Sequence, residues 1–390
     1  MRVGHFTTRY PYPGHFQGRA TPYRSGGAER VVATLAARQA DAGHDVHVFT
    51  AGSRTSTARE DGVTVHRYRR LGAVNTTDLP PGLLVGAPRS SLDVVHAHNS
   101  TPPGVLAGAL AARLQDVPFV VTHHGGERYT DTGGVLRRVG LRLYVGRMLE
   151  RLLNAADAVV LPSGRYRECS TALSRVRTPV REILHGTPPA DTRPVPQVRA
   201  ELGIDPSRFV LTSVGVHEPR KGTDVLLEAF ATIAGGEPGP LLVLMGRGSE
   251  TAGLRRQGRR LGLTDAVRVP GHVAEAVKRS YLRAADVFSL PTRTAGAEMS
   301  PLVIGEAAAA GTAIVASDLP ALRGVLADWG CATFVPPDDP DALARSLQDL
   351  RTAPTRMTSL ARNGQEYAAA TSWEAAASEY VSLYRDLEDG

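Results

Sequence analysis

The sequence predicts an α/β protein made of two doubly wound, Rossmann-like domains. Short apolar, β-rich runs alternate with Ala/Leu-rich helical patterns along the whole chain, and a proline-dense stretch at 188–196 interrupts the alternation. The chain has 390 residues, which is too long for one hydrophobic core. Alternating strands and helices form parallel sheets covered by helices on both faces. We therefore expect two such domains facing a central cleft.

Six strands are expected in each domain, with helices between them. In the first domain the strands are predicted at Val3–Thr7, Asp45–Thr50, Val94–His96, Phe119–Thr122, Ala158–Leu161 and Glu182–Leu184, and the helices at Gly27–Ala42, Gly104–Gln115 and Leu136–Ala155. In the second domain the strands are predicted at Phe209–Val214, Leu241–Met245, Val267–Val269, Val287–Leu290, Ala313–Ala316 and Thr333–Val335, and the helices at Asp224–Ile233, Leu254–Leu261, Glu275–Ala284, Leu302–Ala310 and Asp341–Leu350.

The proline-dense stretch sets the domain boundaries. The first domain is expected at 1–187 and the second at 206–370, with 188–205 as a stiff linker between them. Ligands of doubly wound sheets bind at the carboxyl ends of the strands. The loops that follow the strands are therefore where we look for chemistry.

Charge is unevenly distributed along the chain. Residues 1–187 carry an excess of ten positive charges, whereas residues 188–390 carry an excess of four negative charges. A basic first half suits a phosphorylated or membrane-bound partner. Nucleic acid is not expected as a partner, because the arginines are scattered and no aromatic-basic recognition motif accompanies them.

Cysteine usage and hydropathy indicate a cytoplasmic protein, with the inner membrane face as a peripheral alternative. Cys169 and Cys331 are isolated, so no metal or redox motif is expected. No secretory leader is expected, and the longest apolar run is too short to span a bilayer. Val135–Leu153 mixes apolar residues with arginines, which suits either a membrane-surface helix or a helix packed on its own sheet.

Only two of the 45 basic residues are lysines. Lys221 follows a predicted strand in Pro219-Arg220-Lys221-Gly222. Its ammonium is a compact charge with rotatable donors, which a planar guanidinium cannot replace. Arg220 and Lys221 are therefore candidates for binding an anion. Lys278 is expected on a polar helix face without a special role.

Two features of the first domain suggest ligand contacts. Gly26 and Gly27 begin a predicted helix, where free amides attract phosphate. The loop before them interleaves aromatic and basic residues, and sugars stack on aromatic faces. The candidates in this loop for contacting an acceptor, the molecule that would receive a sugar, are Tyr12, Arg19, Tyr23 and Arg24.

Histidines follow two neighbouring predicted strands, in His96-Ala97-His98-Asn99 and in Thr122-His123-His124-Gly125. His96 and His98 are expected on one face of their strand, but no third metal ligand is marked, so no metal is predicted. Contacts to a sugar are expected at His98 and Asn99, and structural roles at His96 and His123.

Glu298 and Glu306 flank a predicted helix start, with Ser300 as the N-cap and Pro301 as the first helical residue. Free amides between two carboxylates suit a nucleotide-sugar, with the diphosphate on the amides and the carboxylates on sugar and ribose hydroxyls. Asp339-Pro340-Asp341, which imitates a metal-binding Asp-x-Asp motif, is interpreted as a helix cap.

Taken together, these motifs resemble glycosyltransferase family 4, which has the GT-B fold. The resemblance also rests on Met245-Gly246-Arg247-Gly248, on Ala284-Ala285-Asp286-Val287-Phe288 and on the spacing of Glu298 and Glu306. It covers nearly the whole chain. The segment 371–390 resembles the terminal helix that crosses back to the first domain.

The resemblance implies a retaining, metal-independent transferase that needs no cofactor. Its donor would be a nucleotide-sugar, with UDP or GDP as the expected nucleotide. Its acceptor would be a hydroxyl of a lipid, a glycan or a small secondary metabolite. Its catalytic residues would be His124 beside the reacting sugar, Arg220 and Lys221 on the diphosphate and Glu298 on the donor sugar. The other donor-binding residues would be Gly26, Gly27, Arg247, His272, Val273, Ser300, Leu302, Val303 and Glu306.

Two departures from the family pattern concern the donor. Val216 follows Gly215 where many members carry arginine, and His185 precedes Gly186 where asparagine is usual. We expect His217 or Arg247 to compensate for the missing arginine. The alternatives are a nucleotide-sugar epimerase, for which Glu127 would be the acid/base group, and a sugar-nucleotide-binding protein that has lost turnover.

Overall fold

Two parallel sheets organise the chain in its computed structural model. The model describes residues 1–15, 26–74, 77–86, 91–125, 138–139, 142, 144–294 and 298–389, and the side chains of residues 74, 145 and 146 are not described. One compact unit comprises Met1–His185 and Trp373–Gly390, and the other comprises Gly186–Ser372. The expected α/β class with two doubly wound sheets is confirmed.

The first unit contains an eight-stranded sheet with the order β10-β9-β8-β7-β1-β2-β4-β3. The edge strand β3 is antiparallel to β4, and the other pairings are parallel. The hairpin of β3 and β4 was not expected, because its first strand is polar and exposed. The strands are β1 Arg2–Phe6, β2 Asp45–Gly52, β3 Ser56–Glu60, β4 Val63–Arg69, β7 Val94–Asn99, β8 Phe119–His123, β9 Ala158–Leu161 and β10 Val180–Glu182, with a separate pair β5 Ala73–Val74 and β6 Thr77–Asp78.

Five α-helices cover this sheet, among the residues that the structure describes. They are Gly27–Asp41, Pro81–Gly86, Pro102–Gln115, Leu149–Asn154 and Trp373–Glu388. From residue 144 onward, the predicted helix Leu136–Ala155 is observed as a π-helical turn at Tyr144–Met148 followed by the short α-helix, and most of its earlier residues lie outside the described ranges. Leu149 and Leu153 are buried, which favours packing on the unit's own sheet over a membrane surface. In the described ranges, no helix combines the length and the apolarity that crossing a bilayer requires.

A buried polar network joins the terminal helix Trp373–Glu388 to the first sheet. The Gln39 amide donates to the Tyr384 hydroxyl at 3.2 Å, and this hydroxyl lies 2.6 Å from His96 Nδ1. His96 Nε2 lies 2.7 Å from Thr122 Oγ1, which in turn contacts the Tyr380 hydroxyl at 3.0 Å. Each of these buried polar groups therefore has a partner, which a dry interior requires.

His5 extends the network along β1. Its Nε2 lies 2.7 Å from the Gln39 carbonyl oxygen, and its Nδ1 lies 2.9 Å from His98 Nε2. The His5 ring is fully buried, and this burial lowers its pKa to about 4 because a charged imidazole loses its hydration there. His5 is therefore neutral in the folded protein at neutral pH.

The second unit contains a six-stranded parallel sheet with the order β13-β12-β11-β14-β15-β16. Its four central strands, β11, β12, β14 and β15, are mostly apolar and buried, as expected for a parallel sheet between helices, whereas the edge strands β13 and β16 are partly exposed. The strands are β11 Val210–Val214, β12 Leu241–Met245, β13 Val267–Gly271, β14 Val287–Leu290, β15 Ala313–Ser317 and β16 Ala332–Val335.

Eight α-helices surround this second sheet, in the part of the unit that the structure describes. They are Val195–Glu201, Thr223–Ile233, Thr251–Arg260, Glu275–Ala284, Leu302–Ala309, Pro320–Leu326, Pro340–Thr352 and Pro354–Ala370. The segment 188–205, expected as a linker, lies within this unit, and Val198 of its helix is fully buried in the core. Asp339 caps Pro340–Thr352 by accepting from the Ala342 amide at 2.8 Å, which confirms the cap expected for this motif.

The two ends of the second unit are paired with each other. The Thr187 amide donates to the Thr371 carbonyl at 2.6 Å, and their hydroxyls lie 3.0 Å apart. Thr187 also forms a parallel bridge with Ser372. The chain thus enters and leaves this unit at neighbouring points.

Acid should destabilise the protein through His5. The unfolded chain binds a proton near the ordinary pKa of histidine, about 6.5, whereas folded His5 resists protonation down to a pKa of about 4. Its contribution is therefore complete above pH 6.5 and is lost as the pH falls towards 4, a change of about 3 kcal/mol in the free energy of unfolding. Urea unfolding between pH 7.5 and 4 measures this slope.

The variant His5→Gln should flatten that slope, whereas His272→Gln, which replaces an exposed histidine, should leave it unchanged. The prediction is wrong if His5→Gln and the wild type lose stability equally between pH 6.5 and 4.

Candidate functional site

The second unit places its candidate residues where its strand order reverses. Strand β11 lies between β12 and β14. The connection after β11 leads to β12 on one side, and the connection after β14 leads to β15 on the other side. The loops after β11 and β14 therefore diverge at the carboxyl edge and leave a crevice, which is where doubly wound sheets bind ligands. Lys221 follows β11, and Glu298 follows β14.

A tight turn positions Lys221. Pro219–Lys221 forms one turn of 3₁₀ helix, and Gly222 follows it with φ 63°. A Cβ on Gly222 would lie 2.0 Å from the Pro291 carbonyl oxygen, so only glycine fits this close approach. Arg293 secures the turn: its amide donates to the Arg220 carbonyl at 2.9 Å, and its guanidinium donates to the Pro219 carbonyl at 2.7 Å.

Glu298 meets Lys221 in the second unit. The Lys221 ammonium donates to Glu298 Oε1 in a short ion pair, and Thr292 Oγ1 donates to the same oxygen at 3.2 Å. The Glu298 side chain is 6% exposed. A buried carboxylate of this kind needs a cation and hydrogen bonds to compensate for lost hydration.

Glu306 is also paired with a lysine, which the sequence analysis did not anticipate. Lys278 Nζ lies 2.8 Å from Glu306 Oε1 and 2.7 Å from Oε2, and it also contacts Glu275 at 2.9 Å. The expectation that Lys278 lies on a polar helix face is therefore wrong. Because its helix packs against the one that carries Glu306, Lys278 is buried between them.

The helix that carries Glu306 begins one residue later than expected. Leu302–Ala309 is helical, and Pro301 with extended backbone is the N-cap, so Ser300 precedes the cap and the proposed Ser300 cap is wrong. Ser300, Leu302 and Val303 are half-buried at this helix start. The first-turn amides of a helix have no acceptor within it, and they attract anions.

A small pocket lies beside Lys221, and the loop after β12 closes one side of it. Gly246 has φ 131°, and a Cβ there would lie 1.8 Å from the Gly215 carbonyl oxygen, so the loops after β11 and β12 touch through their backbones. The Gly215 amide donates to the Met245 carbonyl at 3.0 Å across this contact. The pocket is lined by Ser213, Val214, Gly215, His217, Lys221, Thr223, Met245, Leu290 and Pro291.

The expected substitutes for a missing arginine differ in their positions. Val216 is 44% exposed. His217 is buried with Nδ1 3.0 Å from Thr251 Oγ1, and burial lowers its pKa, so it is neutral and does not replace a cation. Arg247 is exposed and stays a candidate.

The remaining donor candidates of this unit lie nearer its surface. Arg220 is half-buried and donates to Glu218 Oε2 at 2.7 Å. His272 is exposed and Val273 is half-buried, after β13. Their assignments stay predictions.

In the first unit, His124 ends a chain of histidines. Its Nε2 lies 3.1 Å from His98 Nδ1, and its ring stacks on His185 with the centroids 5.8 Å apart. Burial lowers the pKa of His124 well below its usual range, and neighbouring His185 and His123 lower it further. His124 is only partly buried, unlike His98, which is fully buried.

Hydrogen bonding fixes the tautomers along this chain. The Gln39 oxygen accepts from His5 Nε2, so neutral His5 accepts at Nδ1 and His98 must donate from Nε2. His98 then accepts at Nδ1, and His124 donates from Nε2. A neutral imidazole carries one proton, so His124 Nδ1 is left as an acceptor.

The acceptor candidates are distributed between interior and surface. Asn99 is buried and uses both amide atoms, with His123 Nδ1 at 2.7 Å and the Tyr144 hydroxyl at 2.6 Å. Burial of His98 and Asn99 favours supporting roles over direct contact with an acceptor. Tyr12 is half-buried with its ring 4.0 Å from the Arg67 guanidinium carbon. Arg19, Tyr23 and Arg24 lie outside the described residues.

The other candidates of the first unit lie at a helix start. Gly26 is the N-cap of Gly27–Asp41, and its amide donates to Glu29 Oε2 at 2.8 Å. This amide is therefore occupied by the protein's own carboxylate. Apart from its chain neighbours and the backbone of its own helix, no atom of the described residues lies within 4 Å of the position that a Cβ on Gly27 would take.

Three histidines come close enough together to be considered as metal ligands. His5 joins His96 and His98, with their ligand atoms within 4.8 Å of one another. The sequence marks no third ligand near His96-Ala97-His98, but the register that pairs His5 with His96 supplies one. All six ring nitrogens lie within hydrogen-bond distance of protein partners, which favours a hydrogen-bonded core over a metal centre.

Sequence reasoning missed several supporting residues. Lys278 carries the same compositional signal as Lys221, since both are rare lysines in an arginine-rich chain. Thr292 and Arg293 directly follow β14 and could have been found by their position at the carboxyl edge. His5 and Gln39 carry no local signal, because their role depends on pairing across the sheet.

Two family models match the chain, one on each side of residue 190. Residues 25–190 match the model described as Glycosyltransferase Family 4, and residues 195–367 match the model described as Glycosyl transferases group 1. Together they cover most of both units.

Known proteins agree with these matches. The chain is similar to a phosphatidyl-myo-inositol mannosyltransferase of Mycolicibacterium smegmatis, at 31% identity over 85% of this chain and 83% of that protein. It is similar to D-inositol 3-phosphate glycosyltransferase 2 of Catenulispora acidiphila, at 29% identity over 94% of this chain and 91% of that protein. Its fold is similar to that of Anabaena HepE in complex with UDP-glucose, with a TM-score of 0.75 at 18% identity, covering 99% of this chain and 100% of that one. The chain therefore belongs to glycosyltransferase family 4 and has the GT-B fold.

Proposed function

We propose that this protein is a retaining glycosyltransferase that moves a hexose-type sugar from a UDP- or GDP-sugar to a hydroxyl of an inositol-containing acceptor. The observation that carries the proposal is the arrangement in the second unit, where Lys221 and Glu298 meet beside the pocket at the reversal of strand order. The structure of HepE with UDP-glucose supports a nucleotide-sugar donor in this fold.

In the proposed donor complex, Lys221 and Arg220 bind the diphosphate together with the first-turn amides of Leu302 and Val303. Negative charge on the leaving diphosphate grows in the transition state, so preorganised cations there lower the barrier. Glu298 would accept hydrogen bonds from the hydroxyls of the donor sugar, and Glu306 from those of the ribose. Lys221 would then lie between the Glu298 carboxylate and the phosphate and would neutralise both.

The proposed transfer needs no protein base. The acceptor oxygen bonds to the anomeric carbon on the face from which the diphosphate leaves, and the bond from that carbon to the phosphate oxygen breaks. The proton of the acceptor hydroxyl passes to an oxygen of the leaving diphosphate. Neutral His124, with Nδ1 as an acceptor, would hold a hydroxyl of the donor sugar rather than remove the proton.

An inositol acceptor is supported by the relatives and by charge. The names of both curated relatives contain inositol carrying a phosphate, free or in a lipid. Residues 1–187, most of the first unit, have an excess of ten positive charges, which favours an anionic acceptor. The lipid and the free inositol phosphate share this chemistry.

A transfer assay tests the function. We expect release of UDP or GDP to depend on one of three acceptors: phosphatidylinositol in vesicles, inositol 3-phosphate or free inositol. The anomeric configuration of the product, measured by NMR, should equal that of the donor. An inverted product would refute retention, and conversion of the donor to its epimer without an acceptor would support the epimerase alternative.

Loss of either member of the Lys221–Glu298 pair should abolish transfer. Lys221→Ala removes the cation from the diphosphate, and Glu298→Ala removes the carboxylate from the donor sugar, so kcat/KM should fall at least about 10³-fold, about 4 kcal/mol of transition-state stabilisation. Circular dichroism should show an intact fold. Arg345→Ala, which removes an exposed cation of the same unit, is the control, and wild-type turnover in either site variant would refute the assignment.

Chelation should leave the reaction unchanged. The proposed cations on the diphosphate are side chains rather than a divalent ion, so dialysis against EDTA followed by the transfer assay should give the untreated rate. Restoration of a lost rate by added Mg²⁺ or Mn²⁺ would contradict the metal-independent mechanism.

A further inference from the structure

Lys278 occupies an unusual position for a lysine. Its side chain is 11% exposed, and it reaches from the helix Glu275–Ala284 to the helix Leu302–Ala309. Lysines are seldom buried this far unless a carboxylate pairs with them. Here the carboxylate is Glu306, the residue that we propose binds the donor ribose.

The geometry around Nζ suits an ammonium. Glu306 Oε1, Glu306 Oε2 and Glu275 Oε2 lie 2.8, 2.7 and 2.9 Å from it. Glu306 Oε1 accepts a hydrogen bond from this ammonium, while Glu306 Oε2 and Glu275 Oε2 lie within ion-pair distance of it. A planar guanidinium directs its donors within one plane and needs more room. Retention of lysine here, in a chain with 43 arginines, therefore follows from the local chemistry.

The charge of Glu306 also requires this partner. The Glu306 side chain is 5% exposed and lies on the second turn of the helix whose start would hold the donor diphosphate. An unpaired carboxylate there would be poorly hydrated and would be repelled by the phosphates. Lys278 compensates the charge of Glu306 through this ion pair.

We infer that Lys278 is a positioning residue that holds the Glu306 carboxylate in its orientation, and so gives the site its preference for a ribose with free 2′ and 3′ hydroxyls. This inference rests on the proposed function, since it assigns a substrate group to the same site. Lys278 itself makes no contact with the donor.

A purely structural ion pair would behave differently. If Lys278 only joined two helices, its loss would lower stability but would weaken all nucleotides equally. If Lys278 positions Glu306, its loss would weaken nucleotides that carry ribose hydroxyls much more than nucleotides that lack them. The ratio of two dissociation constants distinguishes the two roles.

Calorimetric titration of the full chain measures that ratio, with UDP and GDP each compared with its 2′,3′-dideoxy form. For the wild type we expect the ribonucleotide to bind at least about tenfold more tightly, because hydrogen bonds to a charged carboxylate are lost in the dideoxy form. In Lys278→Met the preference should fall to within about threefold. Arg279→Met, a change of the next, exposed residue on the same helix, should keep the wild-type ratio.

If Lys278→Met fails to fold, Lys278→Arg takes its place, because it keeps the charge between the helices but replaces the compact ammonium with a planar guanidinium. The preference in this variant should fall at least about threefold. A wild-type ratio in the folded Lys278 variant overturns the inference. Equal dissociation constants of the wild type for the ribonucleotide and its dideoxy form also overturn it, and that result would not contradict the proposed transferase activity. Failure of the wild type to bind UDP or GDP overturns the proposed function and this inference together.

Discussion

The pairing of two buried glutamates with the chain's two lysines is the constraint on which the second unit depends. Glu298 is paired with Lys221, and Glu306 with Lys278. Buried carboxylates are unfavourable unless a cation or hydrogen bonds compensate for their lost hydration. The local structure meets this requirement. The tight turn at Gly222 positions the Lys221 ammonium, and the packing of two helices positions the Lys278 ammonium.

The first unit solves a different problem, the burial of many neutral polar groups. Its histidines contact one another, the Gln39 amide and the terminal-helix tyrosine Tyr384, so that this cluster is satisfied by uncharged partners. Such a network is stabilising only when every member is satisfied. The proton positions of the buried residues leave His124 Nδ1 as a hydrogen-bond acceptor.

The fold could be predicted from sequence because its signals are local. Buried parallel strands such as Leu241–Met245 are short apolar runs, and prediction and structure agree there. The hairpin of Ser56–Glu60 and Val63–Arg69 was missed because an exposed edge strand has little apolar periodicity. The linker was misplaced because prolines at 188–196 suggest an extended segment, although Pro194 and Pro196 flank and begin a short helix whose Val198 is buried.

The site was only partly predictable, for a related reason. Lys221 and Glu298 were found because each lies in a recognisable local motif, but their ion pair joins residues 77 positions apart. The role of Lys278 was missed because its partner lies on another helix, and an amphipathic pattern assigned it to the polar face. His5 joins the histidines through strand pairing alone. Local patterns identify chemistry-bearing residues, whereas their partners are determined by packing.

The hydrogen bonds between Thr187 and Thr371 have a consequence for how such a protein can evolve. Because the second unit begins and ends at paired residues, it is an insertion in the chain of the first unit, and its termini are already adjacent. Adjacent termini make a domain tolerant of insertion and excision. The second unit is therefore a cassette that recombination can exchange whole, leaving the strand order of the first sheet and the docking of its terminal helix untouched.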